Sequence, residues 1–337
     1  MDAPRIGLFG PGRTRNGLGP FLARFFAAEG SQIVAASGRD LARTSAAAGA
    51  IGKDVGQTVA VANTVDELAS LDIDLLVISA PVGAHRDGLE AALRHRRHCL
   101  CEKPLLLPDE LDEAGNYVAR FREQGLMLFE NVQWPYVLPA FDSLHPGLRS
   151  RGAGPSDPAG RRVGVRIAMG MAPAGAGFAM VEDALPHFLS LWHANWPFGP
   201  DNTVREVAWA CDGGDASRGT LELTLGADAA TAVSGRLWLQ QCVHQPRPAW
   251  LELARGRADR VILDEHYNLA LEAPAAQVEA PRRVPLPDPM KSLVTEVVSI
   301  LRRGDQDAAD TIADGIRHRA RLQHDILKRL AEQRTTE

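Results

Sequence analysis

The sequence predicts an N-terminal doubly wound parallel sheet, followed by an α+β domain built on a mostly antiparallel open sheet. Three observations predict this. The first 131 residues alternate strand-length apolar runs with helix-period segments. A glycine-rich turn follows the first of those runs. Beyond residue 131, strand-like runs succeed one another with little helix between them.

Strands are expected at Ile6–Phe9, Ile33–Ala36, Leu75–Ser79, His98–Cys101 and Leu126–Phe129. Helical segments between them run over Leu18–Ala28, Leu41–Ala48, Ala84–His95 and Leu111–Arg122. A shorter pair, Val59–Val61 and Val65–Ala69, supplies a further strand and helix. Right-handed crossovers make such a sheet doubly wound and put its ligand crevice at the carboxyl ends of the strands. Ser79-Ala-Pro81, Glu102-Lys-Pro104 and Glu130-Asn131 each end a strand, so they are expected on one rim despite their separation in sequence.

In the second part, Ser150–Arg161 reads as a Gly/Pro-rich loop, Val163–Met169 as a strand, and Leu185–Ala194 as a helix after a Gly/Ala/Pro stretch. Strand-like runs follow at Val204–Ala210, Thr220–Leu225, Gly235–Gln240, Trp250–Ala254 and Val261–Leu263. A Pro-rich passage then leads to a helical region over Met290–Gln333. At 337 residues the chain suits two domains, divided as 1–131 and 132–337.

Composition narrows the function classes. Apolar residues at 45% and charged residues at 23% are globular values. A net charge of −5 gives no broad attraction for nucleic acid or anionic membrane, so neither is expected as a partner. Cys99, Cys101, Cys211 and Cys242 are too scattered for a disulfide framework and lack the paired spacing of a zinc site. No apolar run approaches the roughly 20 residues of a membrane span, and a strand begins almost at once. The expectation is a reduced, cytoplasmic protein that uses no metal and acts on a small molecule.

The first turn carries the cofactor signal. Gly10-Pro-Gly12-Arg13-Thr14-Arg15-Asn16-Gly17-Leu-Gly19 follows the first strand and precedes a helix. Arg15 stands where the usual fingerprint has its third glycine, so the loop is lengthened. Arg13, Thr14, Arg15 and Asn16 are then candidate phosphate partners. A glycine-rich turn with no ligand is the alternative. The second strand ends in Ser37-Gly38-Arg39-Asp40, with no acid at the place that holds a ribose 2′-hydroxyl in NAD enzymes. A hydroxyl and a guanidinium suit a 2′-phosphate, which favours NADP(H) and leaves NAD(H) second. Asp40 reads as the cap of the next helix.

Ala80-Pro81-Val-Gly-Ala-His85, then a helix, then Cys99-Leu-Cys101-Glu102-Lys103-Pro104 resembles the glucose–fructose oxidoreductase, inositol dehydrogenase and MocA family. Glu182-Asp183-Ala-Leu-Pro-His187 is similar to that family's Asp-x-Gly-x-His helix. The resemblance covers nearly the whole chain. It implies a Rossmann domain, a cis bond between Lys103 and Pro104, and oxidation of an alcohol or reduction of a ketone. The substrate class it implies is a sugar, polyol or sugar derivative.

That chemistry moves a hydride at carbon and a proton at oxygen. Lys103, at a strand end, is the candidate to hydrogen-bond the reacting oxygen. His187 is the candidate proton carrier, because imidazole titrates near neutral pH. Asp183 lies one helical turn before it on the same face, where it is expected to orient His187 or bind a substrate hydroxyl. A packed histidine and a capping aspartate are the structural alternatives. The resemblance assigns Ala80, Pro81, His85, Glu102 and Asn131 to the cofactor side.

Several positions depart from the family wording. Leu185 replaces its glycine, Ser190 stands where many sugar-oxidising members carry an acid, and Asn131-Val-Gln-Trp134-Pro-Tyr136 replaces an Arg-Arg-aromatic segment. Trp134, Tyr136 and Trp192 are candidate substrate platforms, with core aromatics as the alternative. A non-catalytic dinucleotide-binding regulator and a reductase of a non-sugar substrate are the competing functions. Relatives pair the open face of the second sheet, so a homodimer or homotetramer is expected.

Overall fold

Short apolar runs joined by amphipathic helices can satisfy their backbone groups and bury both faces only as a parallel sheet between helical layers. A computed structural model describes residues 3–12, 17–149, 162–171, 176–244, 247–264, 268–274 and 282–334. Two compact units divide the chain: residues 1–132 with 290–321, and residues 133–289 with 322–337.

The first unit contains β1 (Arg5–Phe9), α1 (Gly19–Ala28), β2 (Gln32–Ser37), α2 (Leu41–Val55), β3 (Ala60–Val61), α3 (Val65–Ser70) and β4 (Leu75–Ile78). It continues with α4 (His85–Arg94), β5 (His98–Glu102), α5 (Ala114–Glu123) and β6 (Leu128–Asn131). The six strands lie in the order β3-β2-β1-β4-β5-β6, and every pairing is parallel. This is the doubly wound order, with its switch point between β1 and β4. Ile6, Leu8, Ile33 and Leu75 through Ile78 are completely buried, as two-sided packing demands.

The chain's return to this unit was not legible as such. The expected helical region splits at Gly304, whose φ of +61° ends α8 (Pro289–Arg303) before α9 (Gln306–Arg334). Residues 290–321 join the first unit, not the second as the division at 131 implied. Polar ties hold them there. Thr295 donates to the Glu29 carboxylate at 2.7 Å, and Arg122 bridges Asp310 and Asp314 at 3.2 Å each.

The second unit contains α6 (Leu138–Leu144), β7 (Arg162–Met171), α7 (Phe178–Asn195), β8 (Thr203–Asp212), β9 (Asp215–Gly226) and β10 (Val233–Gln241). After these come β11 (Ala249–Leu253), β12 (Gly256–Ile262), β13 (Leu269–Ala273) and β14 (Arg282–Leu286). The strand order is β14-β13-β12-β11-β7-β10-β9-β8, antiparallel throughout except for β7 beside β10. The strands β13 and β14 lie beyond those expected from the sequence. β14 reads as a loop because of its proline, but it is an edge strand, where a missing N–H can face away from the ladder.

Helix α7 packs on β7 and β10 and begins seven residues before the expected Leu185. Pro186 sits inside it, and burial of Val181, Leu185, Phe188, Leu189 and Leu191 outweighs the lost helical hydrogen bond. The loop expected over 150–161 lies outside the described residues. Among the described residues no helix is long and apolar enough to cross a membrane.

Candidate active site

The carboxyl ends of β1, β2, β4, β5 and β6 form one rim, as their parallel pairing requires. Gly10, just past β1, has φ +90°, and a Cβ there would stand 2.4 Å from the Ala80 nitrogen. Its own N–H donates to the Ser37 carbonyl at 2.9 Å, and Ser79 Oγ donates to its carbonyl at 2.8 Å. Three strand exits are thereby drawn together around a residue that must lack a side chain. Gly12 lies in the bend that follows, whereas Arg13, Thr14, Arg15 and Asn16 lie outside the described residues.

The role of the third glycine passes to Gly19. A Cβ there would lie 2.6 Å from the Gly10 carbonyl oxygen, so the start of α1 approaches the turn as closely as backbone allows. Gly19 lies outside the usual fingerprint spacing. Its signal was the helix start, because a lengthened loop moves the close approach to wherever the helix begins.

At the end of β2, Ser37 is buried and its Oγ has no hydrogen-bond partner among the described residues. Gly38 leaves room for Thr44 Oγ1, which a Cβ would meet at 2.7 Å. Arg39 is exposed, and Asp40 caps α2 by accepting from the Arg43 N–H at 2.9 Å.

His85 is 1% exposed and joins two exits of the sheet. Its Nε2 is 2.9 Å from the Ala80 carbonyl and its Nδ1 is 3.0 Å from the Pro104 carbonyl. Burial holds its pKa below the usual histidine value, so the neutral ring donates to one of these carbonyls at a time. Pro81 is exposed beside Ala80.

Lys103 is half-buried directly after β5, and its bond to Pro104 is cis, as the resemblance implied. Glu102 and Asn131 are paired neighbours on β5 and β6, and the Asn131 amide donates to the Glu102 carboxylate. Desolvation pushes Glu102 up to about 7, against the lowering effects of Asn131 and the Lys103 charge. Asn131 Oδ1 is buried and has no hydrogen-bond partner among the described residues. Beneath them, Glu130 accepts from Arg319 at 2.8 Å, a pair that no motif announced.

The second unit carries the other candidates. Asp183 is exposed and His187 half-buried, one turn apart on the open stripe of an otherwise buried α7. Ser190 is buried, and its hydroxyl donates to the His187 carbonyl at 2.8 Å. Trp134 and Tyr136 are half-buried in a 3₁₀ turn that packs on α7. Trp192 corrects the expectation of a substrate platform. It is fully buried, with its indole in the space that a Cβ at Gly164 or Gly235 would occupy at 2.7 and 2.2 Å. Such a ring offers no face to a ligand. No group of three or more His, Cys, Asp or Glu is gathered for a metal ion among the described residues.

A dinucleotide fits the first unit's rim: a side-chain-free cradle at Gly10 and Gly19, and buried oxygens of Ser37 and Asn131 that lack partners. Residues 5–132 match the model of an oxidoreductase family described by an NAD-binding Rossmann fold. A dTDP-3,4-didehydro-2,6-dideoxy-α-D-glucose 3-reductase of Streptomyces antibioticus is 38% identical over 113 residues, 34% of this chain and 30% of that protein. An inositol 2-dehydrogenase of Mycolicibacterium vanbaalenii is 35% identical over 71 residues, 21% of this chain and 20% of its own length. These alignments therefore span less than a third of either relative.

Solved structures share the fold along the whole chain. The UDP-N-acetylglucosamine 3-dehydrogenase of Acidithiobacillus ferrooxidans superposes with TM-score 0.66 at 18% identity, covering 98% of this chain and 99% of that one. A 3-ketoreductase of Actinomadura kijaniata, solved with NADP and TDP-benzene, gives 0.65 at 17% identity and covers 98% of each. Residues 5–132 thus match the NAD-binding Rossmann domain of that oxidoreductase family, and over the rest of the chain the solved structures show the same fold.

Proposed function

We propose that the protein is an NAD(P)-dependent oxidoreductase acting on a secondary alcohol or ketone of a sugar, polyol or sugar derivative. The observation that carries this reading is Lys103, which directly follows β5 on the rim, next in sequence to Glu102 of the Glu102–Asn131 pair. A regulator that only bound dinucleotide would need neither that lysine nor the Asp183/His187 stripe.

When bound, the nicotinamide supplies or accepts the hydride. Gly10, Gly19, Ser37 and Asn131 would hold the dinucleotide. Ser37 and Arg39 favour the 2′-phosphate of NADP over a bare ribose hydroxyl. The Lys103 ammonium donates a hydrogen bond to the reacting oxygen and stabilises the charge that grows on it. His187 takes the hydroxyl proton in oxidation and returns it in reduction, with Asp183 orienting the ring. His85 ties the Ala80 and Pro104 turns together and so keeps Lys103 in place. Trp134 and Tyr136 line the substrate side, and the protein acts as a homodimer or homotetramer.

The test is a titration with NADPH and NADH, followed by Lys103→Ala and His187→Ala assayed on a panel of keto sugars. Binding retained with kcat down about 10²–10⁴-fold supports the assignment. Full turnover by Lys103→Ala overturns it.

A further inference from the structure

His85 opens α4, and its buried ring lies between two carbonyl oxygens. Nε2 is 2.9 Å from the Ala80 carbonyl, just past β4. Nδ1 is 3.0 Å from the carbonyl of Pro104, the residue joined to Lys103 by the cis bond. Both partners only accept, and a neutral imidazole has a single N–H to give. One ring nitrogen therefore turns a lone pair toward an oxygen at hydrogen-bonding distance. A second proton would convert that contact into a hydrogen bond and tie both carbonyls to the ring.

Burial keeps that second proton off the ring, and the α4 N-terminus opposes it too. The Ala80, Pro104 and Leu105 carbonyls favour it, with a smaller contribution from the Glu130 charge on β6. The neighbouring charges have other partners. Glu130 is held by Arg319, Arg86 by Glu110 and Glu113, and Glu102 by the Asn131 amide, while Asp87 is exposed. What reaches the ring directly is the dinucleotide cradle. A Cβ on Gly10 would stand 2.4 Å from the Ala80 nitrogen, so the residue whose carbonyl meets His85 packs against the cradle itself. An anion held there favours the charged ring. On the other side of the ring lies the turn that carries Lys103.

We propose that His85 takes up a proton when a dinucleotide occupies the Gly10 cradle, so that its ring then holds the Ala80 and Pro104 carbonyls at once and fixes the Lys103 turn. The proton comes from the buffer and enters on the ring nitrogen that faced a carbonyl with its lone pair; no other bond forms or breaks. His85 is thus a positioning residue, acting on Lys103 through Pro104. Dinucleotide binding and protonation are linked, and each strengthens the other. The inference rests on the proposed function in taking the cradle to hold the dinucleotide's diphosphate.

The experiment is calorimetric titration of the full-length protein with NADH and NADPH near neutral pH, in buffers of different ionisation heat, which counts the protons taken up. Wild type is expected to take up about 0.3–0.8 proton more than His85→Gln, whose amide does not titrate. The 2′-phosphate of NADPH titrates in both proteins and cancels in the comparison. Acidification by about two pH units should tighten wild-type binding at least about threefold more than it tightens the variant's. Thermal melts check that His85→Gln folds. Nitrogen-15 spectra of the wild-type imidazoles read the ring without any substitution: one protonated nitrogen in the free protein and two in the complex. Three outcomes overturn the coupling while leaving dinucleotide binding intact: no uptake by wild type, equal uptake by folded His85→Gln, or a ring that keeps one proton in the complex. Failure of both dinucleotides to bind would instead remove the proposed function, and the coupling with it.

Discussion

Arg319 and Glu130, separated by 189 positions, close an ion pair of 2.8 Å in which the side chains are 10% and 8% exposed. The pair fastens α9 to the end of β6, one residue from Asn131 on the rim. Removing one partner leaves a buried charge uncompensated, which costs about 3–5 kcal/mol. Arg319→Leu is therefore expected to lower the urea midpoint markedly, and the double variant with Glu130→Leu to recover most of the loss. Additive losses in the two single variants would show that the pair is not coupled.

Glu102 gives a pH dependence with a definite sign. Its folded-state pKa of about 7 lies above the ordinary 4.5, so the folded protein holds its proton more tightly than the unfolded chain does. Its contribution is fully present below about 4.5 and is lost as pH rises through about 7. Relative to Glu102→Gln, the wild type should lose stability across this window, measured as urea midpoints between pH 5 and 8.5. A difference that stays flat with pH would mean the carboxyl is not held up by burial.

Cofactor choice is testable at the end of β2. Arg39→Ala should weaken NADPH roughly tenfold while leaving NADH nearly unchanged, the loss of one charge-assisted contact. Fluorescence titrations with both dinucleotides measure it. An unchanged ratio would assign Arg39 to a solvated helix start and remove the case for NADP preference.

The face of the second sheet opposite α7 carries Trp238 and Trp250, with centroids 5.0 Å apart, under the guanidinium groups of Arg236 and Arg257. The same face carries the ion pairs Glu222–Arg236 and Arg166–Glu252, so it joins aromatic surface to charges of both signs. Light scattering of wild type should give a dimer or tetramer, and Trp238→Glu a smaller species. A wild-type monomer at micromolar concentration would overturn this.

The Rossmann half was legible because its signals are local. Strand-length apolar runs, helix periodicity, the Gly10 turn and the Glu102-Lys103-Pro104 strand end all lie within short windows, and parallel crossovers leave one handedness for joining them. The Asp183/His187 stripe was legible for the same reason, a spacing of one helical turn. The edge strand β14 was hidden by its proline. The return of residues 290–321 to the first unit and the Arg319–Glu130 pair left no mark in any window. Trp192 shows why: its period on α7 is equally that of a core residue and a platform, and only Gly164 and Gly235, supplied by two other strands, make it core. By itself the sequence determined the elements, the dinucleotide domain and the residue types at the strand ends. Tertiary structure decided which distant side chains become neighbours, because burial and charge compensation depend on what the rest of the fold brings alongside.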